Sequence, residues 1–388
     1  MLNIRADRLS KLPPYLFVKI DQGKRTAMAQ GRDVIDFGVG DPDLPTPAFI
    51  LDETSKALST PGSYNYTPTI GLIEYRRAAA HYMKCRFGVT INPENEVIAL
   101  LGSKEGIGHL PLAVINPADV VLVPQPGYPV YESGTIFAGG VTHTMPLTES
   151  NDWLPDLTKI PAEVCRQAKL MWINYPNNPT SACASLDFFK QAIAFAKAHD
   201  ILLAHDSAYG EVYFDEPPPS ILQVHGAREV AIEFHSLSKT FNMTGWRTAF
   251  AVGHADALAA LAKIKSNLDS GMFEPIQHAG IAAMEGFDRP EIVELRNMYR
   301  HRRDVIVSAL REAGWSVTPP QATFYLWAKC PPGHDSWSVA TRLLDEADIV
   351  VIPGAGFGET GEGFVRFSLT VNEDRVREAA ARIAKLSW

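Results

Sequence analysis

The chain predicts an α/β protein in which a large domain, built on a mostly parallel mixed sheet between helices, carries a smaller α/β domain. Three observations lead there. The 388 residues exceed the ~250–300 that one hydrophobic core spans, so two domains are expected. From Thr46 onward, short apolar runs alternate with helix-length stretches, the pattern of βα units whose strands are buried on both faces. After a long charged stretch at 290–313 the composition changes, as it does where a second domain begins.

The first forty or so residues hold two Pro-interrupted pieces, then the strand-like VIDFG and the turn-rich GDPDLPTP, an arm crossing the surface. GLIEYRRAAAHYMKCR (71–86) predicts a helix, EVIALL (96–101) a short buried strand, and SKEGIGHLPLAVI a helix after it. DVVLVP, GVTHTM, KLMWIN, ILLAHD and EVAIEFHS are further strands, separated by helices such as DFFKQAIAFAKAHD. Helices near 275–286 and over 290–313 precede strands at TFYLWA, DIVVIP and FVRFSLT and a last helix, EDRVREAAARIAKL. The expected division is residues 1–45 as arm and part of the small domain, 46–288 as the large domain, and 289–388 as the small C-terminal domain. No internal repeat or low-complexity tract interrupts it.

Composition narrows the function. With 46% hydrophobic and 21% charged residues the chain has the make-up of an ordinary soluble globular protein. A net charge of −8 argues against non-specific nucleic-acid binding, though a local donor cluster could still hold a phosphate. Cys85, Cys165, Cys183 and Cys330 are scattered without a CxxC pair, which argues against a disulfide framework or zinc site and makes a reducing cytosol the default. Neither a signal-peptide core nor a run of ~20 apolar residues is present. A cytoplasmic protein, with no membrane partner, is expected.

Ser236-Leu-Ser238-Lys239…Gly245-Trp-Arg247 follows an apolar strand. A lysine there can attack an aldehyde if its surroundings keep the amine near neutral. Two hydroxyls and a guanidinium beside it suit a phosphate dianion. Taken alone, such a lysine is most often a solvated surface group. Ile201-Leu-Leu-Ala-His-Asp206-Ser-Ala-Tyr209 ends a strand in an acid, where α/β folds place ligands. Asp206 either faces a pyridine nitrogen, keeping it protonated, or caps the next helix. Asn174-Tyr-Pro-Asn-Asn178-Pro is a rigid turn that can aim an amide inward, or a plain Pro-rich turn. Gly102-Ser103-Lys104-Glu105-Gly106 opens a helix after a strand, an anion site that occurs by accident in many proteins.

The combination is far less accidental than its parts. GSKEG, Pro126-Gly-Tyr128-Pro, NNP, HDSAY and SLSK…GWR occur in order, each at the end of a predicted strand. From PPYLF at residue 13 to FVRFSLT at 364, the chain resembles the class I/II, fold-type I aminotransferases, which use pyridoxal 5'-phosphate. The resemblance implies that Lys239 forms the Schiff base and then moves the α-proton. It implies that Asp206 pairs with the pyridinium nitrogen, Asn178 and Tyr209 with the ring oxygen, and Tyr128 with the ring face. Ser103, Lys104, Ser236, Ser238 and Arg247 would hold the phosphate, and Arg366 the substrate carboxylate. Tyr66 would reach the phosphate of a neighbouring subunit, which implies a homodimer with shared active sites.

KLPPYLF, VIDFGVGDPDLPTP, GSKEGIGHLPLA, VPQPGYPVY, INYPNNPT, IEFHSLSKTFNMTGWR and KIKSNLDSG resemble the LL-diaminopimelate aminotransferases in particular. That likeness implies substrate contacts from Tyr15, in the arm, and from the Gly40 backbone, with 2-oxoglutarate as the expected acceptor. The chain departs from the pattern at Thr69 and Ile70, where an aromatic and an acid are usual, at Ser181, where glycine is usual, and at Glu274 in FEPIQ. These departures bear on the distal substrate pocket and leave the chemistry intact.

Rival readings have less behind them. Pro353-Gly-Ala-Gly-Phe-Gly358 lacks the spacing and position of a dinucleotide fingerprint and is expected to be a turn near the substrate mouth. The 11 histidines include no HExxH or other ligand cluster, and His205 and His235 are expected to be satisfied near strand ends. A ligand-binding relative without catalysis would often have lost the lysine, the acid or the arginine, and all three are here. A lyase, racemase or decarboxylase would share the lysine and acid, and sequence separates these poorly from a transaminase.

Overall fold

The computed structural model describes residues 4–12 and 17–388. Its strands, in chain order, are β1 (Ile35–Asp36), β2 (Val97–Leu100), β3 (Val120–Gln125), β4 (Val141–Pro146), β5 (Ala168–Asn174) and β6 (Leu202–Asp206). They continue as β7 (Ala231–Ser236), β8 (Ala249–Gly253), β9 (Tyr325–Lys329), β10 (Ile349–Val350), β11 (Ile352–Pro353) and β12 (Phe364–Ser368). Seven form one sheet in the order β2-β8-β7-β6-β5-β3-β4. The pairs from β7 through β6, β5 and β3 to β4 are parallel, and β8 runs antiparallel to both β7 and β2.

The strands β2, β7 and β8 are buried at every position, which is why they read as continuous apolar runs and not as alternation. Edge strand β4, by contrast, exposes Val141, Thr144 and Pro146. Helices cover both faces: Ser103–Val114 and Ala255–Leu268 border one apolar cluster, and Ile73–Phe87 and Leu186–His199 the other. Among the described residues, no helix is long and apolar enough to cross a membrane.

The expected strand at DIVVIP divides into β10 and β11. β10 pairs in parallel with β1, so the two ends of the chain meet, and β11, β12 and β9 form an antiparallel sheet. A third apolar cluster, containing Phe37, Ile306, Phe324, Leu343, Phe367 and Ile383, lies around these short strands.

β8 was not anticipated. Its sequence, AFAVG, is short and built of small residues, so it resembles the loop before it. Its direction matters for function. Because β8 returns antiparallel to β7, the connection from Ser236 to Ala249 stays at one sheet edge and keeps Lys239 and Arg247 together there.

Behind that edge lies a buried polar unit. Glu233 accepts hydrogen bonds from Ser220 Oγ (2.8 Å) and the Ile221 N–H (2.9 Å). His205 Nδ1 lies 2.9 Å and His235 Nε2 2.6 Å from its carboxylate oxygens. His205 Nε2 faces the Tyr175 carbonyl at 3.0 Å, so both its ring nitrogens meet acceptor atoms. The two histidines hold the Glu233 carboxyl far below the ordinary range despite its burial.

Candidate active site

The ends of the parallel strands and the short sheet enclose a cavity of about 330 Å³. Gly40, Ser103, Lys104, Tyr128, Asn178, Asp206, Tyr209, Ser236, Ser238, Lys239, Arg247 and Arg366 all line it. Tyr66 does not: its side chain points outward and is 93% exposed. Tyr15 lies outside the described residues.

Asp206 ends β6 and is 4% exposed. Its carboxylate accepts from Tyr131 Oη at 2.8 Å and from the Ala208 N–H at 3.2 Å, neither of them a cation. Burial raises its pKa, opposed by the Tyr131 hydrogen bond. The Ala208 contact caps a turn, because no helix directly follows β6. Asn174 ends β5 in register with Asp206 and donates to its carbonyl at 2.7 Å. The Asn174 side-chain oxygen accepts from the Asn178 N–H at 2.9 Å, aiming the turn inward.

Lys239 sits on the one-turn helix Leu237–Thr240, with Nζ donating to the Gly40 carbonyl at 2.9 Å. Burial lowers its pKa to about 8; the carboxylate of Asp41 opposes this, and the charges of Arg247 and Arg366 reinforce it. Gly102 precedes the helix Ser103–Val114 with φ 79°, and a Cβ there would lie 2.2 Å from Arg247 Nη2. Only glycine lets that guanidinium approach the helix N-terminus, where free N–H groups and the charge form an anion cradle.

Arg366 on β12 is 3% exposed. It donates to Asn178 Oδ1 (2.9 Å) and the Gly38 carbonyl (2.8 Å), while among the described residues Nε has no partner. Its guanidinium lies 4.3 Å from the Tyr325 ring centroid and 4.9 Å from that of Phe357. Phe357 belongs to the glycine-rich turn expected near the substrate mouth, and it lines the cavity. Arg366 and Asp206 are thus buried charges of opposite sign, and among the described residues neither has a charged side chain hydrogen-bonded to it. Buried charges are retained where a partner neutralises them. A protonated ring nitrogen and a carboxylate are the partners that would, so the donor set fits pyridoxal phosphate with an amino acid.

Sequence reasoning did not single out Asn174, Tyr131, Tyr325 or Phe357 as site residues. Asn174 had a usable signal, since it ends the strand KLMWIN as Asp206 ends ILLAHD. Tyr131 lies one helical turn beyond Tyr128, at ring distance 5.7 Å, and stacks on Trp172 at 5.1 Å. Of the departures, Ser181 is buried with φ 62°, and Ile70 packs beside β2, accepting the Ala99 N–H at 3.0 Å. Thr69 and Ile70 are not among the residues lining the cavity of this chain. Glu105, His109 and Asp269 converge elsewhere, but Lys265 Nζ is already 2.8 Å from Glu105 and 3.2 Å from Asp269, so an ammonium fills that cluster.

The mixed sheet, the small antiparallel sheet and a lysine–aspartate–arginine cavity between them accompany a family match over residues 32–383: the chain belongs to the aminotransferase class I and II family. Its relatives make the likeness more particular. It is 52% identical, over 98% of its length and 97% of the relative's, to an LL-diaminopimelate aminotransferase of Desulforudis audaxviator. It is likewise 52% identical to an enzyme of that name from Aquifex aeolicus, with 98% of each chain covered. Among solved structures, substrate-bound BacF of Bacillus subtilis superposes with a TM-score of 0.94 at 40% identity, covering 99% of this chain and 98% of that one. A probable N-succinyldiaminopimelate aminotransferase of Thermus thermophilus has a TM-score of 0.90 at 36% identity, covering 95% and 99%.

Proposed function

We propose that the protein uses pyridoxal 5'-phosphate to transfer the amino group of LL-diaminopimelate to a 2-oxo acid, 2-oxoglutarate. The convergence on one cavity of Lys239 with Asp206 and Arg366, oppositely charged groups without a hydrogen-bonded ionic partner among the described residues, carries this reading. The amine of Lys239, its pKa lowered by burial to about 8, is the nucleophile for an aldehyde and then the base that carries a proton to and from the substrate α-carbon. When bound, pyridoxal phosphate supplies that aldehyde and a ring that withdraws electrons. Asp206 holds the ring nitrogen protonated, Asn178 and Tyr209 hold the ring oxygen, and Tyr128 covers the ring face. Ser103, Lys104, Ser236, Ser238 and Arg247 hold the phosphate.

Arg366 grips the substrate carboxylate with Asn178 beside it, which orients the α-hydrogen toward Lys239. Gly40, through its backbone, and Tyr15, which lies outside the described residues, are assigned to the substrate. Tyr66, outward-facing here, serves the phosphate of a partner subunit in a homodimer. On this reading residues 46–288 contribute Lys239 and Asp206, while 1–45 and 289–388 contribute the carboxylate-binding side. A cytoplasmic location accords with the scattered free cysteines.

The test is absorbance of the protein loaded with pyridoxal phosphate, with single amino donors added. Loss of the visible band with LL-diaminopimelate, but not with glutamate, aspartate or aromatic donors, is expected. A band lost only with other donors, as the departures at Thr69 and Ile70 would favour, replaces the donor and keeps the reaction class. No band after loading overturns the cofactor assignment.

A further inference from the structure

Tyr325 is the first residue of β9 and is 3% exposed. Its hydroxyl lies 3.0 Å from the Tyr209 hydroxyl. Its ring face lies under the Arg366 guanidinium, which is a diagonal cross-strand neighbour: Tyr325 pairs with Ser368 on β12, two residues from Arg366. One side chain therefore touches both a group assigned to the cofactor and the group assigned to the substrate carboxylate.

The surroundings hold it there. Its carbonyl accepts from Ser181 Oγ at 2.8 Å, and its N–H donates to Thr323 Oγ1 at 3.0 Å. Ser181 Oγ and Thr323 Oγ1 are themselves 2.7 Å apart. From the arm side, Gly40 abuts the Tyr325 hydroxyl so closely that an added Cβ would lie 2.1 Å from it.

Each phenol has one hydrogen to give. If Tyr209 donates its hydrogen to the cofactor's ring oxygen, its own oxygen must accept, and Tyr325 is placed to donate. Such a chain polarises the terminal donor and strengthens its bond. At the other end, Asn178 and Gly38 hold the two Arg366 Nη groups, Nε has no polar partner among the described residues, and the Tyr325 and Phe357 rings beside the guanidinium help hold the plane of the fork.

We propose that Tyr325 is a positioning residue with two separable parts: its hydroxyl orients Tyr209 toward the cofactor, and its ring orients Arg366 toward the substrate carboxylate. This rests on the pyridoxal phosphate reading above. The experiment compares Tyr325→Phe, which keeps the ring, with Tyr325→Leu, which keeps neither part. Both are loaded with pyridoxal phosphate and read in two ways: the pH midpoint at which the visible band changes, and the Kd of glutarate, a carboxylate that cannot react.

The phenylalanine variant should raise the midpoint by about half a pH unit, because the ring oxygen's anion loses part of its stabilisation. Its glutarate Kd should stay within about twofold of the unsubstituted protein. The leucine variant should shift the midpoint likewise and weaken glutarate on the order of tenfold. Should the leucine chain fail to fold, Tyr325→Met, whose longer flexible side chain fills more of the ring's path, carries the same comparison. An unmoved midpoint in the phenylalanine variant, or unchanged glutarate binding when the ring is absent, overturns the proposal and leaves the cofactor reading standing. If the unsubstituted protein shows no visible band, both fall together.

Discussion

At Lys239 two demands conflict. A buried ammonium destabilises the fold, yet a lysine far from neutrality would be a poor nucleophile. Burial lowers its pKa to about 8 from an ordinary 10.5. Below pH 8 the amine is protonated folded and unfolded alike, so the penalty is fully present. Between pH 8 and 10.5 only the unfolded chain holds the proton, and stability rises with pH. Cofactor-free Lys239→Met should therefore melt above the cofactor-free parent at pH 7, by on the order of 1–3 kcal/mol, and lose all turnover. Scanning calorimetry at pH 7 and pH 10 checks this, since the gap must shrink at the higher pH; a constant gap would place the effect in packing. Lys239, Asp206 and Arg247 were legible because each follows a strand within a recognisable string. Tyr325 was not, because its partner Tyr209 is 116 residues away and only folding makes them neighbours. Ser181 was visible as an oddity without a reason. Its left-handed backbone is strained for a serine, and the bonds from its hydroxyl to Thr323 and Tyr325 offset that strain.

Among elements, the segment from Phe37 to Asp43 does most to join the halves of the site. The Gly38 carbonyl accepts from Arg366 (2.8 Å), Val39 from Thr370 (2.7 Å) and Gly40 from Lys239 (2.9 Å). Arg302 anchors its far end, binding both Asp43 oxygens at 2.7 and 2.8 Å. Removing one member of such a pair leaves a poorly solvated charge, so Arg302→Leu should lower stability by about 3 kcal/mol. Amide exchange over residues 38–43 should quicken as well. Denaturant titration with hydrogen-exchange mass spectrometry tests this, and unchanged protection of the segment would refute the anchoring role. The sequence showed this stretch as an arm by its glycines and prolines, but its carbonyl contacts come from residues remote in the chain. Long periodic helices such as Pro290–Glu312 were legible almost to the residue. β8 was missed because its small side chains have no pattern of their own, and the neighbouring strands supply its identity.

For the molecule as a whole, the homodimer proposed above has Tyr66 of one chain completing the site built around Lys239 of the other. A mixture of two defective proteins tests it. Lys239→Ala and Tyr66→Phe chains, unfolded and refolded together, should recover activity above the sum of the separate preparations, because one hybrid site has both native residues. Activity equal to the sum would mean each chain is self-sufficient. The fold class was legible at this scale because strand and helix alternation is a local pattern, whereas the meeting of β1 with β10 spans most of the chain. Beneath the site, Glu233 with His205 and His235 has a consequence for descent. Replacing any one strands a charge or a donor where no water reaches it, so mutation meets a barrier at every single step. These three positions, separate in the sequence, should be inherited as one character, and an alignment of descendants is expected to show them kept or lost together.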